Sequence, residues 1–217
     1  MTDALDLLRQ IGAELNTAVI GDILDEMGYR RQFLPPEIRA LHPELTMVGL
    51  AMPVLEQDTS GSADPFGKMF EALDSLRPGE VYLASGSSMT YALWGEMMTT
   101  VAMRKQAAGA VLHGHIRDTN KVRSLGLPVF SCGSYAQDQR GRGRVIGYRV
   151  PIVIGGVQIE PGDILVGDVD GVISIPAKAA TECVRRARQK LSTESEVLKE
   201  LIGGLDSAKA FDKFGVM

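Results

Sequence analysis

The chain has 217 residues, of which 45% are hydrophobic and 23% charged, and its formal net charge is −4. This composition is ordinary for a soluble globular protein, and the length favours one domain over residues 1–217. A negative charge without clustered Lys and Arg argues against a nucleic-acid partner. The two cysteines are too few for a disulfide framework.

The N-terminal segment and the apolar runs argue against membrane targeting. Residues 1–15 carry acids and lack the basic region and apolar core of a signal peptide. No apolar run approaches the roughly 20 residues that are needed to span a bilayer. We therefore expect a cytoplasmic protein with no membrane partner.

The first part of the chain predicts helices and strands in alternation. Apolar residues at helical spacing predict a helix up to Leu15, and a second helix is predicted from Thr17, as its N-cap, to Met27. Alternating apolar residues predict a strand over 45–58, which is followed by a loop over 59–67. A short helix then begins at Met69 and is stopped by Pro78-Gly79.

The remaining elements are predicted in the same way. A buried strand is predicted over 81–86, a helix that ends at Gly109, and a strand over 110–115. Turn signals divide 144–176 into three or four short strands, and one amphipathic helix covers about 177–203, before a short tail. The order predicts a single α/β domain with a central β-α-β unit and an extra β layer.

Two loops are candidates for carrying the chemistry. In WGEMM (94–98) a glycine precedes a helix start, whose unpaired N–H groups suit a carboxylate or a phosphate. In HIRDT (115–119) the pair Arg117-Asp118 follows a strand. Because ligands bind at the carboxyl ends of strands in open α/β sheets, the two loops could form one crevice. Glu96 also has a simpler interpretation, as an acid that complements the helix dipole.

Other motifs favour structural roles. His113 and His115 lack a third histidine nearby for a metal site, and the methionines 97, 98 and 103 are better core filler than metal ligands. The segment QRGRGR (139–144) is typical of a solvated loop. The glycines of VIGGVQIEPGD lack the spacing of a dinucleotide-binding motif. A Schiff-base lysine would have to be desolvated, and Lys121 is the lysine nearest the candidate crevice.

The segments WGEMMTTVAMRKQAAGAVLHGHIRDTNKVRSLGLPVF and VPIVIGGVQIEPGDILVGDVDGVISIP resemble a known family. It contains the RraA proteins, which regulate ribonuclease E, and the 4-hydroxy-4-methyl-2-oxoglutarate (4-carboxy-4-hydroxy-2-oxoadipate) aldolases. The resemblance extends from about Thr17 to Gly204. It implies an α-β-β-α sandwich of the swivelling-domain type, assembled as homotrimers or homohexamers.

The resemblance also implies roles for individual residues. Aldolases of the family carry an acid, twenty intervening residues, Arg-Asp, two residues and a second acid; here Glu96 and Arg117-Asp118 match, whereas Lys121 replaces the last acid. Asp118 would bind Mg²⁺ or Mn²⁺ largely through water, and Arg117 would hold a small 2-keto acid.

Further contacts are implied around this pair. The start of the helix (Gly95, Met97 and Met98) would take the substrate carboxylate, and Glu96 would order metal waters or relay a proton. An acid from a neighbouring subunit, Glu196 or Glu194, would complete the metal shell.

The expected function is that of a divalent-metal-dependent (class II) pyruvate aldolase or lyase. Such an enzyme would cleave a 4-hydroxy-2-oxo acid to pyruvate and would decarboxylate oxaloacetate through the same enolate. Two alternatives stay open: a non-enzymatic RraA-type regulator that inhibits a ribonuclease, and another keto-acid or sugar-acid reaction at the same site.

Overall fold

A computed structural model describes residues 2–60 and 64–215. The helices are Thr2–Glu14 (α1), Thr17–Glu26 (α2), Met69–Asp74 (α3), Glu96–Arg104 (α4), Thr119–Leu125 (α5), Ala180–Ile202 (α6) and Ser207–Phe214 (α7), with a 3₁₀ turn at Ala177–Ala179. The strands are Arg39–Ala40 (β1), Met47–Asp58 (β2), Glu80–Ser85 (β3), Ala92–Trp94 (β4), Gly109–Leu112 (β5), His115–Ile116 (β6), Val129–Ser131 (β7), Gly143–Tyr148 (β8), Ile152–Ile154 (β9), Val157–Ile159 (β10), Ile164–Asp168 (β11) and Gly171–Ile175 (β12).

The main sheet is mixed and nearly closed on itself. Its order is β1-β7-β5-β3-β2-β11-β12, and β8 pairs with the second half of β2. The four central strands β7, β5, β3 and β2 are parallel, whereas β1, β8, β11 and β12 are antiparallel to their neighbours. The two ends approach each other, since the N–H of Leu34, just before β1, donates to the carbonyl of Val172 in β12 at 2.9 Å.

Three buried apolar clusters hold the helices and the hairpin against the main sheet. One lies between the sheet and α1, α2 and α6, and a second lies between the sheet and α3, α4 and α5. The third fills the inside of the curled sheet, where the β9–β10 hairpin packs against residues such as Leu83, Val111 and Phe130. Helices therefore cover both sides of a folded-over sheet, and the predicted α/β class with an α-β-β-α arrangement is confirmed.

Several boundaries differ from the sequence prediction. The helix expected to reach Gly109 ends at Arg104, because the chain turns at Gln106 with φ of +58° before it enters β5. The region 144–176 contains five strands rather than three or four. The short elements β1, β4, α5 and α7 were not predicted, and the strand predicted over 110–115 is divided into β5 and β6.

The long C-terminal helix was predicted correctly and is charged along much of its length. Among the described residues, no helix combines the length and the apolar character that crossing a membrane requires.

The prediction of Thr17 as an N-cap is wrong. Asn16 caps α2, since its side chain accepts from the N–H of Val19 at 2.9 Å. Thr17 instead donates its N–H and its hydroxyl to the buried carboxylate of Asp168, both at 2.8 Å. These bonds tie the start of α2 to the end of β11.

We expect Thr17→Val to destabilise the fold by about 2 kcal/mol, because a buried carboxylate loses a hydroxyl donor. The measurement is urea unfolding, in which the midpoint should fall while the slope stays constant. Thr181→Val, at an exposed position of α6, is the control. Equal midpoints for the two variants would contradict the role of Thr17.

Candidate active site

A two-stranded parallel sheet brings the two candidate loops together. β4 pairs with β6 through Ala92–His115 and Trp94–Ile116, and the N–H of Arg117 donates to the carbonyl of Trp94 at 2.9 Å. Since parallel strands end at the same edge, Gly95 and Arg117 leave the sheet side by side. The predicted juxtaposition of WGEMM and HIRDT is confirmed.

The chain turns sharply at Asp118. Asp118 has φ of +56° and ψ of +32°, a left-handed conformation that Asp tolerates better than most residues. Its carboxylate makes no capping bond to α5 and accepts from the N–H of Glu96 at 3.4 Å. A Cβ atom at Gly95 would lie 2.7 Å from Asp118 Oδ2, so any larger residue at this position would displace the Asp118 carboxylate.

Two buried side-chain hydrogen bonds hold the start of α4 in place. The indole N–H of Trp94 donates to the hydroxyl of Thr99 at 2.7 Å, and that hydroxyl donates to the carbonyl of Gly95 at 2.9 Å. Both side chains are buried. The first N–H groups of α4, those of Met97 and Met98, lack intrahelical acceptors and face a fixed direction.

Two carboxylates flank the guanidinium of Arg117. Its Nε lies 3.8 Å from Asp118 Oδ2 and its Nη1 lies 3.5 Å from Asp138 Oδ2. Asp138 reaches this place because it forms a parallel bridge with Ala92 at the start of β4. Ion pairs with such long N···O distances and such exposed side chains add little to the free energy of unfolding. Their main effect is to orient the guanidinium, whose other N–H groups stay available to a ligand.

These groups surround a cleft of about 240 Å³. Its wall is mainly apolar and its mouth is charged, a common design of small-molecule sites. The lining residues are Phe66, Met69, Phe70, Ala92, Leu93, Trp94, Gly95, Met97, Met98, Arg117, Asp118, Asp138, Gln139 and Arg140. The cleft is therefore large enough for an organic acid of a few carbons.

The sequence analysis missed three consecutive cleft residues, Asp138, Gln139 and Arg140. The segment 139–144 was interpreted as a solvated loop. This was wrong for Gln139, which is only 3% exposed, and for residues 143–144, which begin strand β8. Gln139 donates its side-chain N–H to Glu56 at 2.7 Å. Burial raises the pKa of Glu56 to about 8, and the hydrogen bond from Gln139 opposes that rise only in part.

Other candidate residues lie apart from the cleft within one subunit. Glu194 is near Lys190 on α6, at 3.8 Å, and Glu196 borders a separate depression with Lys199 and Lys213. Lys121 is exposed on α5, and its backbone N–H donates to the carbonyl of Asp118 at 2.8 Å. Glu96 begins α4 with an exposed side chain and does not line the cleft.

His113 and His115 do not line the cleft. His113 is hydrogen bonded to the hydroxyl of Ser85 at 3.2 Å, and burial lowers its pKa. The ring of His115 packs against Tyr135 at 5.8 Å between centroids.

The donor groups of this chain fit a weakly held hard cation. Within residues 2–60 and 64–215, no cluster of three or more His, Cys, Asp or Glu side chains could enclose a metal ion. Asp118 nevertheless offers a carboxylate that is 44% exposed at the cleft mouth. Mg²⁺ is usually bound by one or two carboxylates together with waters and substrate oxygens, and this donor set is compatible with that mode.

Relatives were found by comparison with curated sequences. Protein DlpA of Legionella pneumophila is 29% identical over 92% of the chain, although the chain spans only 32% of that protein's length. A putative 4-hydroxy-4-methyl-2-oxoglutarate aldolase of Halalkalibacterium halodurans is 31% identical over 80% of the chain and 79% of the relative.

Solved structures and a family model agree with these relatives. Streptomyces coelicolor RraAS2, described as an unusual member of the RNase ES inhibitor RraA protein family, superimposes with a TM-score of 0.79 at 29% identity, covering 88% of this chain and 94% of its own. The RraA-like model, Aldolase/RraA, matches residues 17–174. With this match over most of its length, the chain belongs to the Aldolase/RraA family.

Proposed function

We propose that this protein is a divalent-metal-dependent carbon–carbon lyase that cleaves a 4-hydroxy-2-oxo acid to pyruvate and also decarboxylates oxaloacetate. The observation that carries the proposal is the guanidinium of Arg117, held at the mouth of the cleft beside the free N–H groups of α4. Relatives named as 4-hydroxy-4-methyl-2-oxoglutarate aldolases support the same reaction class.

Binding of the 2-oxo acid follows from this arrangement. Arg117 would hold the 2-oxo oxygen and one carboxylate oxygen, because its planar fork offers parallel donors. The N–H groups of Met97 and Met98 would take the other carboxylate oxygen at the positive end of α4. The apolar wall around Trp94 and Leu93 would exclude water from the carbon chain.

Cleavage breaks the C3–C4 bond. The C4 hydroxyl loses its proton and becomes a carbonyl, while the electron pair of the broken bond passes to C3 and forms the enolate of pyruvate, which takes up a proton from solvent at C3 to give pyruvate. Arg117 stabilises the negative charge that grows on the 2-oxo oxygen. Glu96, with an exposed carboxylate beside the cleft, would relay the proton between the hydroxyl and solvent. Loss of carbon dioxide from oxaloacetate gives the same enolate.

Asp118 would hold Mg²⁺ or Mn²⁺, largely through ordered waters, and Glu96 would assist through water. When bound, the ion supplies Lewis-acid stabilisation of the same oxygen that Arg117 contacts. Since one subunit offers few ligands, we propose that the protein assembles as a homotrimer or homohexamer. Glu196 of the partner subunit would then approach the ion.

An RraA-type regulator is the second candidate. It is favoured by the likeness to RraAS2, at 29% identity, and by Lys121 where aldolases of the family carry an acid. Such a protein would bind a ribonuclease of the RNase ES type and would inhibit it without forming pyruvate. A pull-down with the purified ribonuclease, run beside the pyruvate assay, distinguishes the two: binding without pyruvate release supports the regulator.

A different keto-acid or sugar-acid reaction at this cleft is the third candidate. Lys121 is exposed two positions after the end of HIRDT and would contact an additional carboxylate or hydroxyl of such a substrate. Substrate profiling with 2-oxo acids and sugar acids separates this possibility from the first.

We expect Arg117→Ala to reduce kcat/KM for pyruvate release by about 100-fold or more, because a charged donor to the developing oxyanion is lost. A lactate dehydrogenase-coupled assay with 4-hydroxy-4-methyl-2-oxoglutarate or oxaloacetate, with Mg²⁺ or with EDTA, measures the effect. Arg123→Ala, at an exposed position of α5, should leave the rate unchanged. Wild-type protein that releases no pyruvate from either acid in the presence of Mg²⁺ or Mn²⁺ would rule out the proposed enzyme.

We expect Lys121→Asp to lower the Mg²⁺ concentration at half-maximal activity, because it restores the acid of related aldolases. Lys121→Ala is the matched control, since it removes the positive charge without adding a carboxylate. Metal titrations of the two variants give the comparison. Identical metal responses in both would place position 121 outside the metal shell.

A further inference from the structure

A buried acid lies beneath the cleft and takes no part in the reaction as described above. Glu56, near the end of β2, is 3% exposed. The pairing of β2 with β8 shifts its register between Leu55 and Glu56, an irregularity of the kind that redirects a side chain. The carboxyl of Glu56 accepts from the side-chain N–H of Gln139 at 2.7 Å, and Gln139 itself lines the cleft.

The surroundings of Glu56 favour its uncharged form. A negative charge on Glu56 would act on two nearby tyrosines, Tyr82 on β3 and Tyr91 before β4, and would raise the pKa of both. The hydroxyl of Tyr82 is buried and has no hydrogen-bond partner among the described residues. Tyr91 donates to Asp58, two positions further along β2, at 2.7 Å. From β8, Arg144 stands opposite Gln57 in the register rather than opposite Glu56.

No ion pair to Glu56 is formed by any residue of the described ranges 2–60 and 64–215. Burial without a countercharge raises the pKa of Glu56 to about 8, so the acid is protonated at neutral pH. A neutral acid can sit below an anion-binding cleft without repelling the anion.

Gln139 connects Glu56 to the guanidinium of Arg117. Its carbonyl accepts from the N–H groups of Arg142 at 2.8 Å and of Gly143 at 3.0 Å, which closes a tight loop around it. The preceding residue, Asp138, contacts Arg117 Nη1 at 3.5 Å. A contact path therefore runs from Glu56 through Gln139 and Asp138 to Arg117.

We propose that Glu56 is a positioning residue: its buried carboxyl anchors the side chain of Gln139, and thereby holds Asp138 where it orients Arg117 toward a bound carboxylate. The inference rests on the proposed function, because it assumes that Arg117 binds a 2-oxo acid. Ionisation of Glu56 keeps the hydrogen bond from Gln139 but puts a buried negative charge under the cleft, and this charge opposes the binding of an anionic ligand.

We therefore expect the affinity for an anionic ligand to fall at alkaline pH, because Glu56 ionises there. Affinity is full while Glu56 is protonated and falls as the pH rises through about 8. Glu56→Gln keeps an acceptor for Gln139 and cannot ionise, so it should bind well at both neutral and alkaline pH. Glu56→Leu removes the acceptor and should bind weakly at every pH.

Pyruvate binding in MgCl₂ buffer tests this proposal, with the fluorescence of Trp94 as the signal. Trp94 is the single tryptophan of the sequence, and it lines the cleft. We expect the Kd of the wild type to rise about fivefold or more between pH 7 and pH 9, and that of Glu56→Gln to change by less than about twofold. Gln57→Leu, exposed at the next position of β2, is the control and should follow the wild type.

The possible outcomes distinguish a failure of the role of Glu56 from a failure of the proposed function. Binding that depends on Arg117, with the same alkaline loss in Glu56→Gln as in the wild type, would overturn the role of Glu56 and leave the proposed function standing. Equal binding by Glu56→Leu and the wild type at pH 7 would also overturn it. If neither the wild type nor Arg117→Ala bound pyruvate, both the role of Glu56 and the proposed function would be overturned.

Discussion

The contact between the Asp118 carboxylate and Gly95 is the constraint on which the site depends. It is possible because β4 and β6 are parallel and end together, and because position 95 has no side chain. The left-handed turn at Asp118 then places its carboxylate 3.8 Å from the Nε of Arg117, at the same cleft. Arg117 enters the cleft, and Asp118 lies against the first N–H of α4. A short sheet therefore determines where the charged groups meet.

The charges around the cleft are closely balanced. Arg117 and Arg140 supply two positive charges, whereas Asp118 and Asp138 supply two negative ones. Glu56 lies just below and would reverse this balance if it were ionised, but burial keeps it protonated at neutral pH. A divalent cation beside Asp118 would make the cleft net positive. This electrostatic arrangement suits an acid with two carboxylates, the class to which the substrates named for the relatives belong.

Much of this organisation could be predicted from the sequence. Periodicity located the long strand β2 and the C-terminal helix, since each is long enough for its pattern to emerge, and a short continuous apolar run located the buried strand β3. The approach of Gly95-Glu96 to Arg117-Asp118 was also predicted, from the strands at 81–86 and 110–115, although the strands that the two loops directly follow are β4 and β6. The strands β4 and β6 have three and two residues and carry no readable period.

Other features depend on contacts between distant segments. Gln139 is polar and belongs to an arginine-rich loop, yet it is buried because its partner, Glu56, lies 83 positions earlier. Asp138 enters the site through an isolated bridge to Ala92, which no local pattern encodes. Thr17 was misassigned for a similar reason, since its acceptor, Asp168, lies 151 positions later. A contribution from Glu196 depends on assembly, and the order of residues in one chain does not reveal it.

The central claim is that Arg117 and the start of α4 form one binding site for a 2-oxo acid beside a metal ion. A crystal structure of the protein soaked with Mg²⁺ and oxalate, an analogue of the pyruvate enolate, tests it most directly. We expect oxalate bound between the Arg117 guanidinium and the N–H groups of Met97 and Met98, with the ion facing Asp118. Oxalate bound elsewhere, or an ion remote from Asp118 in an otherwise intact cleft, would contradict the claim.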